Sequence, residues 1–187
     1  MDEELIEKKV SSESIFDGVL LHVKRDDIIL PNGEKAVREW IKHPGASAVI
    51  PYPDDGRIIL VRQYRYPVEQ VTLEIPAGKL DVAGEDPLEC AKRELSEETG
   101  YEAAEYKFLT KLATTVGFSD EYIYIYAAKG LTSGIQHTDD DEFINVVQVP
   151  LEEAVKMVWD GRIIDGKTII SILMLKELID GCLILIL

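Results

Sequence analysis

The chain has 187 residues, carries 35 acidic against 20 basic side chains for a formal net charge of −15, and is 46% apolar. That length suits one domain, or one domain with an appendage, and that apolar share can bury a core, which excludes wholesale disorder. The acidity excludes a non-specific nucleic-acid binder, which needs a basic face, and two cysteines, Cys90 and Cys182, cannot form the framework of a small secreted domain.

Met1-Asp2-Glu3-Glu4-Leu5 lacks the basic-then-apolar profile of a signal peptide. The apolar stretch from Ile169 to Leu187 is broken by Lys176, Glu177 and Asp180, so a buried amphipathic helix is expected there rather than a membrane span. A reducing cytoplasm is the expected compartment.

Residues 1–43 read as an antiparallel strand layer. Val19 to Val23 and Asp27 to Leu30 are short β-type runs, Pro31-Asn32-Gly33 is a turn, and Ala36 to Ile41 returns as a strand. Residues 44–187 form the second block. Ala48 to Tyr52 is a strand, Asp54-Asp55-Gly56 a turn, and Arg57 to Tyr64 is expected to pair back on it. Thr72 to Pro76 is another strand, closed by Ala77-Gly78.

A helix is predicted over Pro87 to Thr99. Asp86 is its N-cap, Pro87 suits the first helical position, Glu89 has capping-box spacing, and Gly100 terminates it. Strands follow at Tyr106 to Thr110, Tyr122 to Tyr126 and, after the acidic loop Thr138 to Glu142, at Phe143 to Val149. Helices over Leu151 to Trp159 and Lys167 to Ile179 close the chain. The fold class is α+β, a mostly antiparallel or mixed sheet flanked by helices.

The sharpest chemical signal is Arg93-Glu94-Leu95-Ser96-Glu97-Glu98-Thr99-Gly100. A solvated acidic face is the ordinary meaning of such a run. A helical wheel argues otherwise: with Leu88 at zero, the apolar face centres at about 320°, and Glu94 and Glu98 fall at about 240° and 280°. Both carboxylates therefore border the core, four residues apart. Such crowding raises proton affinity and costs stability unless a cation offsets it, and an all-oxygen donor set suits Mg²⁺ or Mn²⁺ rather than zinc. Arg93 is expected to pair with Glu97, leaving Glu94 and Glu98 free.

Gly78, Glu85 and then Arg93 through Tyr101 resemble the Nudix box. Seven residues separate Glu85 from Arg93, as in the family; six rather than five separate Gly78 from Glu85, so Val82-Ala83-Gly84 is read as a one-residue loop expansion. Pro76 to Leu80, Val61 to Arg65, Gly117 to Glu121 and Asp139 to Phe143 extend the resemblance to the ADP-ribose pyrophosphatase branch. Val116 stands where that branch typically carries proline.

The resemblance implies a Nudix-type α/β/α sandwich with a mixed sheet, preceded by an N-terminal antiparallel layer that builds a homodimer, possibly swapped. It implies hydrolysis of the ADP-ribose pyrophosphate to AMP and ribose 5-phosphate, with Mg²⁺ or Mn²⁺ as cofactor. The implied metal ligands are Glu94, Glu98, Glu97, Glu142 and the Ala77 carbonyl. Glu97, Glu142 and Asp140 are the implied catalytic groups, with Asp139 and Asp141 equally placed to be the base. Arg65 resembles a phosphate contact, Arg38 a nucleobase contact reaching across the dimer, and Glu74 either contacts substrate or orders Arg65. The rival readings are another nucleoside diphosphate sugar as substrate, which Val116 leaves open, or a non-catalytic nucleotide sensor. Cys90 is read as a packed thiol, and the apolar tail Leu183 to Leu187 as a further dimer signal.

Overall fold

Turn chemistry sets the boundaries of the first three strands in the computed structural model, which describes residues 2–80, 82, 84–138 and 142–181. The chain divides into two compact units. The first comprises Met1–Gly45 with Ala113–Tyr122, the second Ala46–Leu112 with Ile123–Leu187.

The first unit is an antiparallel meander of β1 (Lys8–Asp17), β2 (His22–Ile29) and β3 (Lys35–Lys42). The two β-type runs expected around residues 19–23 and 27–30 are one continuous strand, and residues 18–21 are the turn, where Gly18 N–H donates to the Leu21 carbonyl at 2.9 Å. Lys24 to Asp27 stay in the ladder because β2 is hydrogen-bonded on both edges, whatever its side chains. β1 escaped the sequence reading because it is mostly polar and exposed along its whole length, and its Val10, Ile15 and Phe16 do not alternate. The segment 113–122 joins this unit where Ile41 N–H donates to the Phe118 carbonyl at 2.8 Å and His43 N–H to the Asp120 carboxylate at 2.7 Å.

The second unit holds two sheets. One orders β10 (Asn145–Pro150), β5 (Arg57–Arg65) and β6 (Gln70–Glu74), all antiparallel. The other orders β7 (Ala77–Lys79), β4 (Ala46–Pro51), β9 (Tyr122–Ser133) and β8 (Tyr101–Ala113), with β4 antiparallel to β7 and parallel to β9. The expected hairpin of β4 with β5 does not form. β4 is buried throughout and β5 from Ile58 to Val61, and each is occupied by other partners in its own sheet. Burial on both faces gives the continuous apolar runs Ala48 to Ile50 and Ile58 to Val61, and such runs carry no register information to say which neighbour each will take.

Three helices complete the unit: α1 (Pro87–Thr99), α2 (Leu151–Trp159) and α3 (Gly166–Asp180). α1 packs on β4 and β7, α3 on β4 and β6, and α2 on α3 and β10. Ile50, Ile58, Leu60, Ile125, Ile172 and Leu175 are fully buried in the shared core, each contributing roughly 2 kcal/mol of burial free energy. The α+β class with an N-terminal antiparallel layer is as expected. No described helix is long and apolar enough to cross a membrane, and the tail Leu183 to Leu187 lies outside the described residues.

Candidate functional site

The site is built on α1, whose N-cap and terminal glycine are as the sequence predicts, while Glu89 turns to Lys92 rather than closing a capping box. Leu88 N–H donates to the Asp86 carboxylate at 2.8 Å, and Gly100, at φ +72°, donates its N–H to the Ser96 carbonyl. Glu89 pairs with Lys92 at 2.7 Å. Between these caps, Cys90, Ala91, Glu94, Leu95, Glu98 and Thr99 form the buried face. The wheel therefore placed the two carboxylates correctly, and they go deeper than the border of the core: Glu94 is 9% and Glu98 4% exposed.

Gly78 explains how Glu94 is accommodated. A Cβ at that position would lie 1.8 Å from Glu94 Oε1, so only the missing side chain leaves room for the carboxylate against the backbone of β7. Glu98 has a different environment. A backbone hydrogen bond from Ala77 reaches its carboxylate, while its Oε2 is buried without a hydrogen-bond partner among the described residues. Burial first, then the charges of Glu94 and Glu142, push Glu98 up to about 8. Burial likewise pushes Glu94 up to about 7, against the opposing pull of Arg93. Glu142, half-buried, thus stands within electrostatic reach of both.

Arg93 departs from the expected arrangement. It does pair with Glu97 at 2.9 Å, but the same Nη1 donates to Glu94 Oε1 at 2.6 Å, so Glu94 is not left free. Its Nε and Nη2 hold Glu85 at 3.0 and 3.2 Å. One guanidinium offers five donors, and three surrounding acids share them. The expanded loop before the helix is thereby tied to α1 through Glu85. Glu97 is more open, its side chain 42% exposed.

A buried oxygen without a donor is costly, and two buried carboxylates on successive turns multiply that cost. This donor set fits a hard divalent cation: oxygen-only, anionic, with one acceptor already stripped of partners. Glu94 and Glu98 are the buried carboxylates that would hold it, and the Ala77 carbonyl, Glu97 and Glu142 are the further ligands that the resemblance implies. Among the described residues no preassembled group of three or more acidic, histidine or cysteine ligands is present, which agrees with Arg93 occupying part of the donor set.

Beside these acids lies a cavity of about 400 Å³ lined by Arg65, Thr72, Glu74, Asp165 and Lys167. Arg65 Nε and Nη2 donate to Glu74 Oε1 and Oε2, both at 2.7 Å. Of the two roles expected for Glu74, ordering Arg65 is the one its geometry serves. Burial alone would raise the Glu74 pKa, but Arg65, Lys167 and Thr72 together hold it down to about 2. Arg65 and Lys167 each act electrostatically with Glu98, so cavity and carboxylates form one neighbourhood.

Lys167 was missed from sequence, although a signal existed: a lysine in the first turn of a helix opposes the helix dipole, so an interaction elsewhere must hold it there. Arg38 lies in the first unit, in an ion pair with Glu7. Arg57 pairs with Asp55. Asp139, Asp140 and Asp141 lie outside the described residues. Cys90 is buried, and burial pushes its thiol up to about 12, as befits a packed thiol rather than a nucleophile.

Residues 41–169 match the NUDIX domain, and residues 7–41 match the nucleoside diphosphate sugar hydrolase N-terminal domain. The chain is 45% identical to a methanol dehydrogenase activator of Bacillus methanolicus, covering 89% of this chain and 90% of that protein. It is 44% identical to an ADP-ribose pyrophosphatase of Bacillus subtilis strain 168, covering 92% and 95%. A crystal structure of an ADP compounds hydrolase superposes with a TM-score of 0.83 at 26% identity, covering 94% of this chain and 95% of that one.

Proposed function

The chain belongs to the Nudix hydrolases, and from that premise we propose that it hydrolyses the pyrophosphate of ADP-ribose to AMP and ribose 5-phosphate. The observation that carries this reading is the buried Glu94–Glu98 pair, with Glu94 seated against Gly78 and Glu98 Oε2 lacking a partner among the described residues. A nucleotide-binding sensor has no need of two carboxylates held at that cost.

In the proposed reaction a water oxygen forms a new P–O bond as the bridging P–O bond breaks. Glu94 and Glu98, with the Ala77 carbonyl, Glu97 and Glu142, hold a divalent cation, Mg²⁺ or alternatively Mn²⁺. A bound dication supplies charge neutralisation at the phosphates and lowers the pKa of a neighbouring water, which answers the repulsion between an anionic substrate and a chain of net charge −15. Arg65 presents its guanidinium to a phosphate, held in orientation by Glu74. Asp140 is proposed as the base that takes the water proton, with Glu142 and Glu97 shaping the acidic surroundings.

Residues 1–43 are proposed as the layer through which two copies associate, and 44–187 as the hydrolase body. The exposed Val10, Ile15, Phe16, Val19 and Leu20 of the first unit support this. Arg38 is proposed to reach the nucleobase of the partner's substrate. A reducing cytoplasm is the proposed compartment, in keeping with the free Cys90.

The deciding experiment is a panel of nucleoside diphosphate derivatives assayed with Mg²⁺, with products identified by mass. ADP-ribose should be turned over fastest, giving AMP. Preference for another nucleoside diphosphate sugar would keep the reaction and replace the substrate, while absence of turnover across the panel would leave the sensor reading. A monomeric mass by light scattering at micromolar concentration would remove the dimer.

A further inference from the structure

The Glu74 carboxylate has room for about four hydrogen-bond donors, and four are in place. Oε1 accepts from Arg65 Nε at 2.7 Å and Thr72 Oγ1 at 2.6 Å; Oε2 accepts from Arg65 Nη2 at 2.7 Å and Lys167 Nζ at 2.5 Å. The Glu74 side chain is 3% and that of Lys167 9% exposed, so neither can draw on water for a substitute. Lys167 is anchored in turn by Asp165 Oδ2 at 3.1 Å. Asp165 is fixed as the N-cap of α3, accepting from Thr168 N–H at 3.0 Å and Thr168 Oγ1 at 2.6 Å. Thr168 Oγ1 also accepts from the N–H of Ile75, the residue after Glu74, at 2.9 Å. The first turn of α3 is thus locked to the end of β6 at adjacent residues, and Arg65 is the one member of this chain whose side chain remains substantially open, at 43%.

We propose that Lys167 is a positioning residue for substrate binding, acting through Glu74 to aim the Arg65 guanidinium at an anionic phosphate in the adjoining cavity. This rests on the pyrophosphatase reading for the identity of the anion. With Lys167 present, the four groups Arg65, Lys167, Glu74 and Asp165 balance in charge. Without it, Glu74 gains an empty acceptor site and freedom to rotate, and the group acquires a net negative charge facing an anion. Both changes weaken the grip of Arg65 without touching the carboxylates of α1. Partners that orient a binding group in this way characteristically cost ten- to a hundred-fold when removed.

The test is a double-mutant cycle on the full chain with Lys167→Met and Glu74→Gln, singly and together, at saturating Mg²⁺. The readouts are binding of an α,β-methylene analogue of ADP-ribose by calorimetry, and KM and kcat for ADP-ribose. Lys167→Met should weaken analogue binding and raise KM about tenfold, with kcat within about threefold of the starting protein, and Lys167→Arg should recover most of the affinity. In the Glu74→Gln background, which has no carboxylate for the lysine to act through, Lys167→Met should change binding less than about twofold. That double variant loses one charge of each sign and leaves no buried carboxylate unpaired. Should Lys167→Met alone fail to fold, Asp165→Asn, which loosens the lysine's anchor, takes its place in the same cycle. An equal loss in both backgrounds, or no loss in either, overturns the proposal while the pyrophosphatase reading stands. A non-additive binding cycle in a protein that does not hydrolyse ADP-ribose overturns the reading of function while the relay stands. Absence of analogue binding in the unsubstituted protein overturns both.

Discussion

Glu98→Gln should abolish turnover and yet make the metal-free protein more stable at alkaline pH. Its pKa is raised from 4.5 to about 8, so folding favours the protonated acid. The stability this brings is fully present below pH 4.5 and is lost as pH rises to about 8. Over that span the loss amounts to at most about 5 kcal/mol. Glutamine escapes that loss, while its buried amide costs about 1–3 kcal/mol for want of an acceptor. A net gain of about 2 kcal/mol at pH 9 corresponds to a rise of roughly 4–8 °C in Tm for a chain of this size. At pH 5 the variant should melt no higher than the starting protein. Thermal melts in chelator at pH 5, 7 and 9, repeated at saturating Mg²⁺, provide the assay. Mg²⁺ should raise the Tm of the starting protein at pH 9 and leave the variant nearly unchanged. Undiminished turnover of Glu98→Gln at saturating Mg²⁺, or a melting difference independent of pH, would refute the reasoning.

Three further outcomes follow from other contacts. Gly78→Ala places a methyl 1.8 Å from Glu94 Oε1; restoring ordinary contact displaces that carboxylate by about 1.6 Å, and kcat/KM should fall on the order of 100-fold, whereas a loss under threefold would show that β7 yields instead. Glu74→Gln should lower stability by about 3 kcal/mol at pH 7, because Arg65 and Lys167 lose a carboxylate held down to about 2. Since that contribution disappears as pH falls from 4.5 towards 2, urea midpoints of variant and starting protein should converge on acidification, and a constant gap would contradict the assignment. Asp86→Ala removes the cap on Leu88 N–H and should cost about 1 kcal/mol by urea denaturation with little change in turnover.

Residues 87–100 were legible in the sequence because all their determinants are local. The cap, the proline, the terminal glycine and the 3.6-residue apolar period lie within one segment, and the helix boundaries and the buried positions of Glu94 and Glu98 follow from them. The pairing of β4 was illegible for the opposite reason. Its partners β7 and β9 are chosen by packing across long stretches of chain, and an all-apolar strand offers each neighbour the same surface. The same distinction divides the site. Arg93 and Glu97 are one helical turn apart and were paired correctly, but the contacts of Arg93 to Glu94 and Glu85 depend on where the preceding loop folds. Lys167 reaches Glu74 across 93 positions of sequence, and only its odd placement in the first turn of α3 hinted that it had a partner elsewhere.

Arg93 and the proposed dication compete for the same carboxylates, and that competition bears on how the site loads. Arg93 Nη1 bridges Glu94 and Glu97, which offsets part of the cost that burial imposes on the Glu94 charge. A dication on Glu94 would make that bond redundant, and Arg93 would still hold Glu85 through Nε and Nη2. The guanidinium can therefore release Glu94 by a small rotation, without losing its anchor on the loop. Arg93→Lys offers one ammonium where three acids now share a planar fork, so it cannot hold Glu85 and release Glu94 at once. Melting temperature in chelator should fall by a few degrees, and apparent Mg²⁺ affinity in a turnover titration should weaken by about tenfold. An unchanged Mg²⁺ dependence would mean that Arg93 stabilises the helix without preparing its carboxylates for a cation.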